Sequence, residues 1–346
     1  MRLVLDGLTA FEFWMCAISN NNRLYVKAPS PSLTLFEAKS GREISQIVER
    51  TGGKEGRIEL LVREPEERRQ TKILRCNYWG HRPIPPRSLC HIGDGLYVIS
   101  PELCVVRLAR LLPRLEFLRA TTDLLGIYAY SFTDRQDLIG RKQILNLASL
   151  EAYLNDASGL PGTKLVRQAL SWLPERSASP RETTMDLCLA LPTRLGGQGL
   201  MPFEANFEVK PSDDAKMLTQ KRRLSADVAW SRRDLFLEYN SNKHHDTEEQ
   251  MEFDFEKITT FDKMGKRVIP ISTRQFNDYE AFQAIADEAR SVLGVRDRYA
   301  DDVAEKRRRT HGELIRLERE QRERPPLAET ARWRFLLPYL DLENPI

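Results

Sequence analysis

The sequence has few cysteines and lacks the close pairs that bind zinc or form a disulfide framework. Five cysteines are scattered over 346 residues without a CxxC pair. An odd number of widely spaced thiols fits reduced cysteines in a cytoplasm better than disulfides. The segment with Cys76, His81, Cys90, His91 and Cys104 has no spacing typical of a zinc knuckle. We therefore expect neither a zinc site nor a disulfide-stabilised fold.

Long apolar runs and a strong net charge are also missing. No run reaches the roughly 20 apolar residues that a membrane-spanning helix needs. The opening MRLVLDGLTAFEFW lacks the basic start, long apolar stretch and cleavage site of a signal peptide. The 53 basic and 50 acidic residues give a net charge of only +3, so any nucleic-acid surface has to be local. We expect a cytoplasmic protein that makes no membrane contact.

The residues that are present predict more than one folded domain. Hydrophobic residues make up 41% of the chain and charged residues 30%, which is typical of globular proteins. A chain of this length exceeds one ordinary hydrophobic core. The change in composition at PERSASPRE favours a boundary there. We expect an α+β scaffold or recognition domain over 1–174, a second domain over 175–295, and a charged helix with a docking tail over 296–346.

The first of these regions carries no catalytic constellation, and the last is marked by its high charge. In the first, Asp94-Gly95 separates two apolar-patterned arms and predicts a β-hairpin, while Ser100-Pro101 predicts a helix start. In the last, RDRYADDVAEKRRRTHGELIRLEREQRER has few apolar positions and predicts a solvent-exposed helix. The alternative is an extension that contacts DNA or forms a homodimer through this helix or the tail.

The stretch from 224 to 272 carries two carboxylates in unfavourable places. LSADVAW and LFLEYNS read as strands, and they put Asp227 and Glu238 inside otherwise apolar runs. A carboxylate there is costly without a partner. Because strand side chains alternate, Phe236, Glu238 and Asn240 should share one face. A bound divalent cation is one possible partner, and hydrogen-bonded edge carboxylates are the alternative.

A helix and a buried strand are predicted to follow these two strands. The run from Thr247 to Met264 predicts a helix, and KRVIPIS predicts the strand. We expect one buried stripe on this helix, with Lys257 beside it. The predicted stripe consists of Met251, Phe255, Ile258 and Phe261. The basic residues Lys221, Arg222 and Arg223, just before the Asp227 strand, are either a solvated edge or contacts for phosphates.

Four short motifs occur in the order of a known fold. They are Ser179-Pro180-Arg181-Glu182, Ala226-Asp227-Val228-Ala229-Trp230, Leu237-Glu238-Tyr239-Asn240-Ser241 with His244 and His245, and Asp254 ahead of Gly265 and Val268-Ile269-Pro270-Ile271. With the predicted elements, this order resembles the PD-(D/E)XK nuclease-like fold, and more narrowly the uncharacterised domains related to the very-short-patch-repair endonuclease. The resemblance covers about residues 175–295, roughly a third of the chain. DGLYVISPELCVVRLA in the first half more faintly resembles abortive-infection type IV antitoxins.

The nuclease resemblance implies an α/β fold, with a restriction-endonuclease-like αβββαβ domain and a mixed sheet after the α+β domain. It implies metal-assisted hydrolysis of DNA phosphodiesters, in phage defence or DNA repair. Asp227 and Glu238 would hold Mg²⁺ or Mn²⁺, with Glu182 as a further ligand or a nearby acceptor. The third motif position should be Lys or Asp, but this sequence has Asn240.

Asn240 leaves the question of catalysis open. An amide is neither a cation nor a base, although its carbonyl oxygen can coordinate a metal. Lys243, Lys257 or His245 could supply the missing charge or proton transfer. We therefore expect either a metal-dependent endonuclease or nickase, or a non-catalytic DNA-binding regulator, like the type IV antitoxins, that retains the nuclease fold.

Overall fold

The computed structural model describes residues 3–16, 57–68, 70–71, 74–80, 82–93, 96–240, 248–296 and 301–326. The chain divides into two compact units, Met1–Leu170 with Glu320–Ile346, and Ser171–Arg319. Helices and mixed sheets confirm the α/β class. In these ranges no helix combines the length and the apolar character needed to cross a bilayer. The Asp94-Gly95 turn, Lys243, His244, His245 and the predicted docking tail lie outside the described residues.

The first unit is built on a five-stranded sheet of order β3-β2-β1-β5-β4. The strands are β1 (Leu3–Leu5), β2 (Ile58–Val62), β3 (Leu74–Tyr78), β4 (Leu89–Gly93) and β5 (Leu96–Ile99). The helices are α1 (Gly7–Cys16), α2 (Pro101–Leu111), α3 (Arg114–Leu125), α4 (Leu147–Asp156) and α5 (Thr163–Ala169), and β6 (Tyr128–Tyr130) pairs with β7 (Leu138–Gly140). β4 and β5 pair antiparallel, which confirms the arms of the predicted hairpin. The Ser100 side chain caps α2, as predicted, by accepting a hydrogen bond from Leu103 N.

The second unit has a four-stranded sheet of order β11-β10-β9-β8. Its strands are β8 (Glu204–Val209), β9 (Leu224–Trp230), β10 (Leu235–Asn240) and β11 (Arg267–Ser272). Its helices are α6 (Pro180–Ala190), α7 (Glu248–Lys263), α8 (Thr273–Asn277), α9 (Tyr279–Leu293) and α10 (Asp301–Glu323). β8, β9 and β10 are antiparallel neighbours, whereas β10 and β11 are parallel and therefore need the crossover that α7 provides. From α6 to β11 the elements follow the predicted order.

Helix α7 packs on the sheet through part of the predicted stripe, together with polar residues beside it. Phe261 is fully buried and stacks on Phe236 of β10, with ring centroids 5.3 Å apart. Lys257 and Thr260 share this buried face. Phe255, however, is 69% exposed, so its predicted place in the core is wrong. The helix is turned so that Lys257 faces the sheet, because a carboxylate of β10 lies there as its partner.

Helix α10 is not the fully exposed arm that its charge pattern predicts. One face is buried, at positions that repeat with helical spacing. These buried residues are Arg307, Thr310, His311, Leu314 and Glu318. Several of their polar groups have partners: Thr310 Oγ1 donates to the Leu195 carbonyl at 3.1 Å, and a His311 ring nitrogen lies 2.8 Å from the Phe276 carbonyl. The buried face of α10 is thus formed largely by polar side chains that have hydrogen-bond partners.

Glu318 connects α10 to α6 through a buried ion pair. Its carboxylate lies 3.2 Å from Arg181 Nε and accepts a hydrogen bond from Thr184 Oγ1 at 3.1 Å. Arg181 Nη1 also donates to Asn277 Oδ1 at 2.8 Å. The helix that carries Glu182 is therefore fixed by α10.

We expect Glu318→Ala to lower the free energy of unfolding of the second unit by about 3 kcal/mol, because it leaves a largely buried guanidinium without its carboxylate. Glu305→Ala is the matched control, since its 3.9 Å pair with Arg309 lies on the exposed face of the same helix. The control should cost less than about 1 kcal/mol. Urea unfolding measures both variants, and equal losses would contradict the role assigned to the buried pair.

Candidate functional site

Asp227 and Glu238 come together where β9 and β10 separate. The paired residues of these strands run from Leu235–Trp230 to Leu237–Val228, whereas β10 remains paired with β11 as far as Asn240–Ser272. At the next residue, Asp227, a side chain replaces the β9 backbone as the partner of β10. Its Oδ2 accepts a hydrogen bond from the Tyr239 backbone N–H at 2.7 Å. The Asp227 carboxylate therefore bridges the two strands at the point where they separate, next to Glu238.

The other neighbour of β9 is also irregular at Asp227. The β8–β9 pairs on either side are Ala205–Val228 and Phe207–Ala226, and Asn206 lies between them. Asn206 has a positive φ of 47°, a conformation that interrupts regular strand geometry. The register is the same on both sides, so the interruption is confined to the Asn206–Asp227 position.

Lys257 of α7 reaches the same point from the face of the sheet. With Phe261 stacked on Phe236, the preceding turn of α7 lies over Glu238, and Lys257 Nζ donates to Glu238 Oε1. The predicted shared face of Phe236 and Glu238 is therefore confirmed. Both charged side chains are largely buried, with 10% and 13% of their surfaces exposed. Glu238 Oε2 has no hydrogen-bond partner in the described part of the chain.

Glu182 lies at the N-terminus of α6 and is held by the cap of that helix. Ser179 Oγ accepts a hydrogen bond from Glu182 N at 3.1 Å and donates one to Glu182 Oε1 at 2.9 Å. Glu182 Oε2 accepts from Ala178 N at 2.7 Å. Both carboxylate oxygens are thus engaged locally. This geometry favours the nearby acceptor over the metal ligand among the two roles expected for Glu182.

Asp186, one turn further along α6, is an acidic residue that sequence reasoning missed. It is fully buried, and its Oδ2 accepts a hydrogen bond from Ser177 Oγ at 2.5 Å. Its Oδ1 has no hydrogen-bond partner among the described residues. The four-residue spacing from Glu182, which puts both carboxyls on one helix face, was the available signal.

The negative charge of Asp227 acts on all of these carboxyls. Burial, and then Asp227, raise the pKa of Glu238 to about 8, although Lys257 opposes the rise. The same two causes raise the pKa of Glu182 to about 7. Burial raises the pKa of Asp186 well above its ordinary value, with smaller contributions from Glu182 and Asp227. The cluster would therefore gain from an additional cation.

The donor set fits a hard divalent cation held by two carboxylates. Among the described residues, no three His, Cys, Asp or Glu side chains converge as a metal-binding group. Mg²⁺ commonly uses one or two carboxylates and completes its shell with water and substrate phosphates. Asp227 with the unpartnered Oε2 of Glu238 meets that smaller requirement. Asn240 is the last residue of β10, whereas His245 lies outside the described residues.

Comparisons with protein-family models, with curated proteins and with solved structures return no match for this chain. The likeness to PD-(D/E)XK nucleases and to type IV antitoxins therefore stays a prediction. The nuclease likeness depends on the four motifs, and the antitoxin likeness on DGLYVISPELCVVRLA.

Glu238→Gln should flatten the pH dependence of stability in metal-free protein. A carboxyl whose pKa is raised by folding stabilises the fold below its ordinary pKa of 4.5 and loses that contribution as the pH rises through about 8. Between these two pH values, each rise of one pH unit should lower the unfolding free energy by at most about 1.36 kcal/mol through the ionisation of Glu238. The variant should lack this component.

Urea unfolding at several pH values in the presence of a chelator measures the effect. Glu208→Gln is the matched control, because Glu208 is an exposed carboxylate paired with Arg223. If both variants have the pH dependence of the unmodified protein, Glu238 does not titrate in this window.

Proposed function

We propose that the second unit is a metal-dependent DNA phosphodiester hydrolase, with Asp227 and Glu238 holding Mg²⁺ or Mn²⁺. One observation carries the proposal: the two carboxylates meet where β9 and β10 separate, and a buried lysine is bound to one of them. Oxygen ligands suit these hard cations. When bound, the metal would polarise the scissile phosphate and lower the pKa of a coordinated water.

We assign to Lys257 the role of the charged residue that the resembled fold would have in place of Asn240. The resembled fold would have a Lys or Asp at that strand position, and Asn carries no charge there. Lys257 instead comes from α7 and keeps its ammonium on Glu238. A cation in a largely buried position stabilises negative charge that develops on a phosphate more strongly than it would in water.

Glu182 and Asp186 lie on α6 and would support the proposed site without coordinating the metal themselves. The Ser177 hydroxyl is held by Asp186, and the next two residues, Ala178 and Ser179, hold the Glu182 carboxylate. This chain of hydrogen bonds fixes the Glu182 carboxyl close enough to Asp227 for the charge of Asp227 to act on it. Its effect would be to strengthen the attraction of the site for a cation.

The choice of DNA as substrate is supported by the motif resemblance and by local basic residues. Lys221, Arg222 and Arg223 are exposed and directly precede β9, the strand that carries Asp227. Arg223 pairs with Glu208 at 2.6 Å. Exposed basic side chains at the start of this strand suit contacts to a phosphate backbone.

A second candidate function is a non-catalytic DNA-binding regulator, related in kind to type IV antitoxins, that retains this fold as a scaffold. The Lys257–Glu238 ion pair favours it, because a lysine can neutralise the buried carboxylate without a metal. The uncharged Asn240 favours it as well. Such a protein would bind DNA and leave it intact.

Asp227→Asn and Glu238→Gln are each expected to reduce nicking of supercoiled plasmid about 100-fold or more with Mg²⁺ or Mn²⁺, because a lost metal ligand removes several kcal/mol of transition-state stabilisation. Asp213→Asn, which alters an exposed carboxylate paired with Lys216, should leave nicking unchanged. DNA binding, followed by fluorescence anisotropy, should persist in all three. If the unmodified protein binds DNA but nicks none with either metal, the regulator is the correct function.

Lys257→Ala should separate metal binding from catalysis. Removing the ammonium frees Glu238 Oε1, so calorimetry should find Mn²⁺ bound more tightly, while the cleavage rate falls about 100-fold through loss of charge stabilisation. Lys263→Ala, an exposed position on the same helix, is the control and should change neither quantity. A parallel loss of Mn²⁺ affinity and cleavage would mean that Lys257 only maintains the fold.

A further inference from the structure

A cavity of about 100 Å³ in the first unit lies apart from the carboxylate cluster. One wall is formed by Tyr78 and Trp79 at the end of β3, with Arg82 just beyond. One face of α2 also lines the cavity and contributes Val106, Arg107 and Arg110. The cavity thus combines two aromatic rings with three guanidinium groups.

Trp79 is held so that its ring is available to a ligand. Its indole Nε1 donates to the Arg82 carbonyl at 2.9 Å, which fixes the turn and satisfies the polar end of the side chain within the protein. Both Trp79 and Tyr78 are only half-buried. A guanidinium, that of Arg68, already lies over the Tyr78 ring at 4.8 Å. Partly exposed rings with fixed orientation are suited to stacking with a planar group.

The three arginines differ in whether their charge is already neutralised. Arg107 forms a two-point ion pair with the buried Asp6, with contacts of 3.0 and 2.5 Å. Arg82 and Arg110 are exposed, and neither has a carboxylate partner among the described residues. Two positive charges therefore remain beside the rings, which selects for an anion.

A second cavity of about 420 Å³ adjoins the first and shares Arg82 with it. Its wall includes Pro83, Pro85 and Pro86. The acidic residue at its edge, Asp156, is paired with Arg87 at 3.0 Å, so its charge is offset.

We propose that this cavity binds a nucleotide, with its base against Trp79 and its phosphate at Arg82 and Arg110. The ligand has to be both planar and anionic, and a nucleotide unit combines these properties. A base within a stacked duplex cannot enter a cavity of this kind, so the nucleotide is either free or part of a single strand. The site belongs to the first unit and does not depend on the proposed hydrolysis.

The test uses the full chain with two probes, thymidine 5′-monophosphate and a fluorescein-labelled oligothymidylate of about a dozen residues, a length within the usual single-strand site sizes. Trp79→Ala should weaken binding about tenfold or more through loss of stacking. Arg82→Ala and Arg110→Ala should each weaken it and reduce the salt dependence of oligonucleotide binding by roughly 0.7 in the log–log slope. Arg114→Ala, an exposed arginine outside the cavity, should match the unmodified protein.

The two probes distinguish the source of the nucleotide. Tight binding of the monophosphate, with displacement of the oligonucleotide, indicates a free nucleotide; tight binding of the oligonucleotide alone indicates a single strand. Failure of both probes to bind overturns the proposal, and so does unchanged binding in Arg82→Ala and Arg110→Ala. Both positions are exposed, so a loss of binding in these variants is not explained by misfolding. Asp227→Asn should bind both probes normally, which separates this result from the outcome of the cleavage assay.

Discussion

The hydrogen bond from the Tyr239 backbone to Asp227 is the interaction on which the second unit's candidate site depends. A parallel strand, β11, continues along β10 after β9 has diverged, so the backbone of β10 would otherwise lack a partner on one side. An unpaired backbone N–H inside a protein is costly. Asp227 removes that cost and is thereby fixed next to Glu238. The feature that completes the sheet is thus the same one that gathers the negative charge.

The packing of α7 then determines which positively charged side chain lies beside these carboxylates. Stacking of Phe261 on Phe236 sets the position of the helix along β10, and Lys257, one turn earlier, falls on Glu238. A lysine on a buried helix face is tolerated only because its partner is a carboxylate in the same low-dielectric environment. The ion pair leaves Glu238 Oε2 unpartnered within the described residues. The pair therefore stabilises the fold without using all of the ligand capacity of the carboxylate.

The sequence was most informative where a pattern has a direct physical cause. Alternation in LFLEYNS put Phe236 and Glu238 on one face, and Ser100 marked a helix start, because these signals depend on local backbone geometry. The Phe255 prediction failed because hydrophobic periodicity cannot register a lysine on the core face. Asp186 was missed for a related reason: its spacing from Glu182 could be read, but the burial of its carboxyl against Ser177 is revealed only by the folded chain.

The two candidate sites follow one electrostatic rule with opposite signs. In the second unit, one lysine offsets part of the charge of a carboxylate cluster, and the remaining negative charge favours a cation. In the first unit, Asp6 offsets one of three arginines, and the remaining positive charge favours an anion. In each case an internal ion pair orients one charged side chain, and the ligand has to neutralise only the charge that remains. Pre-organised charge of this kind lowers the reorganisation required for binding, so the position of each internal partner bears on ligand choice as much as the exposed residues do.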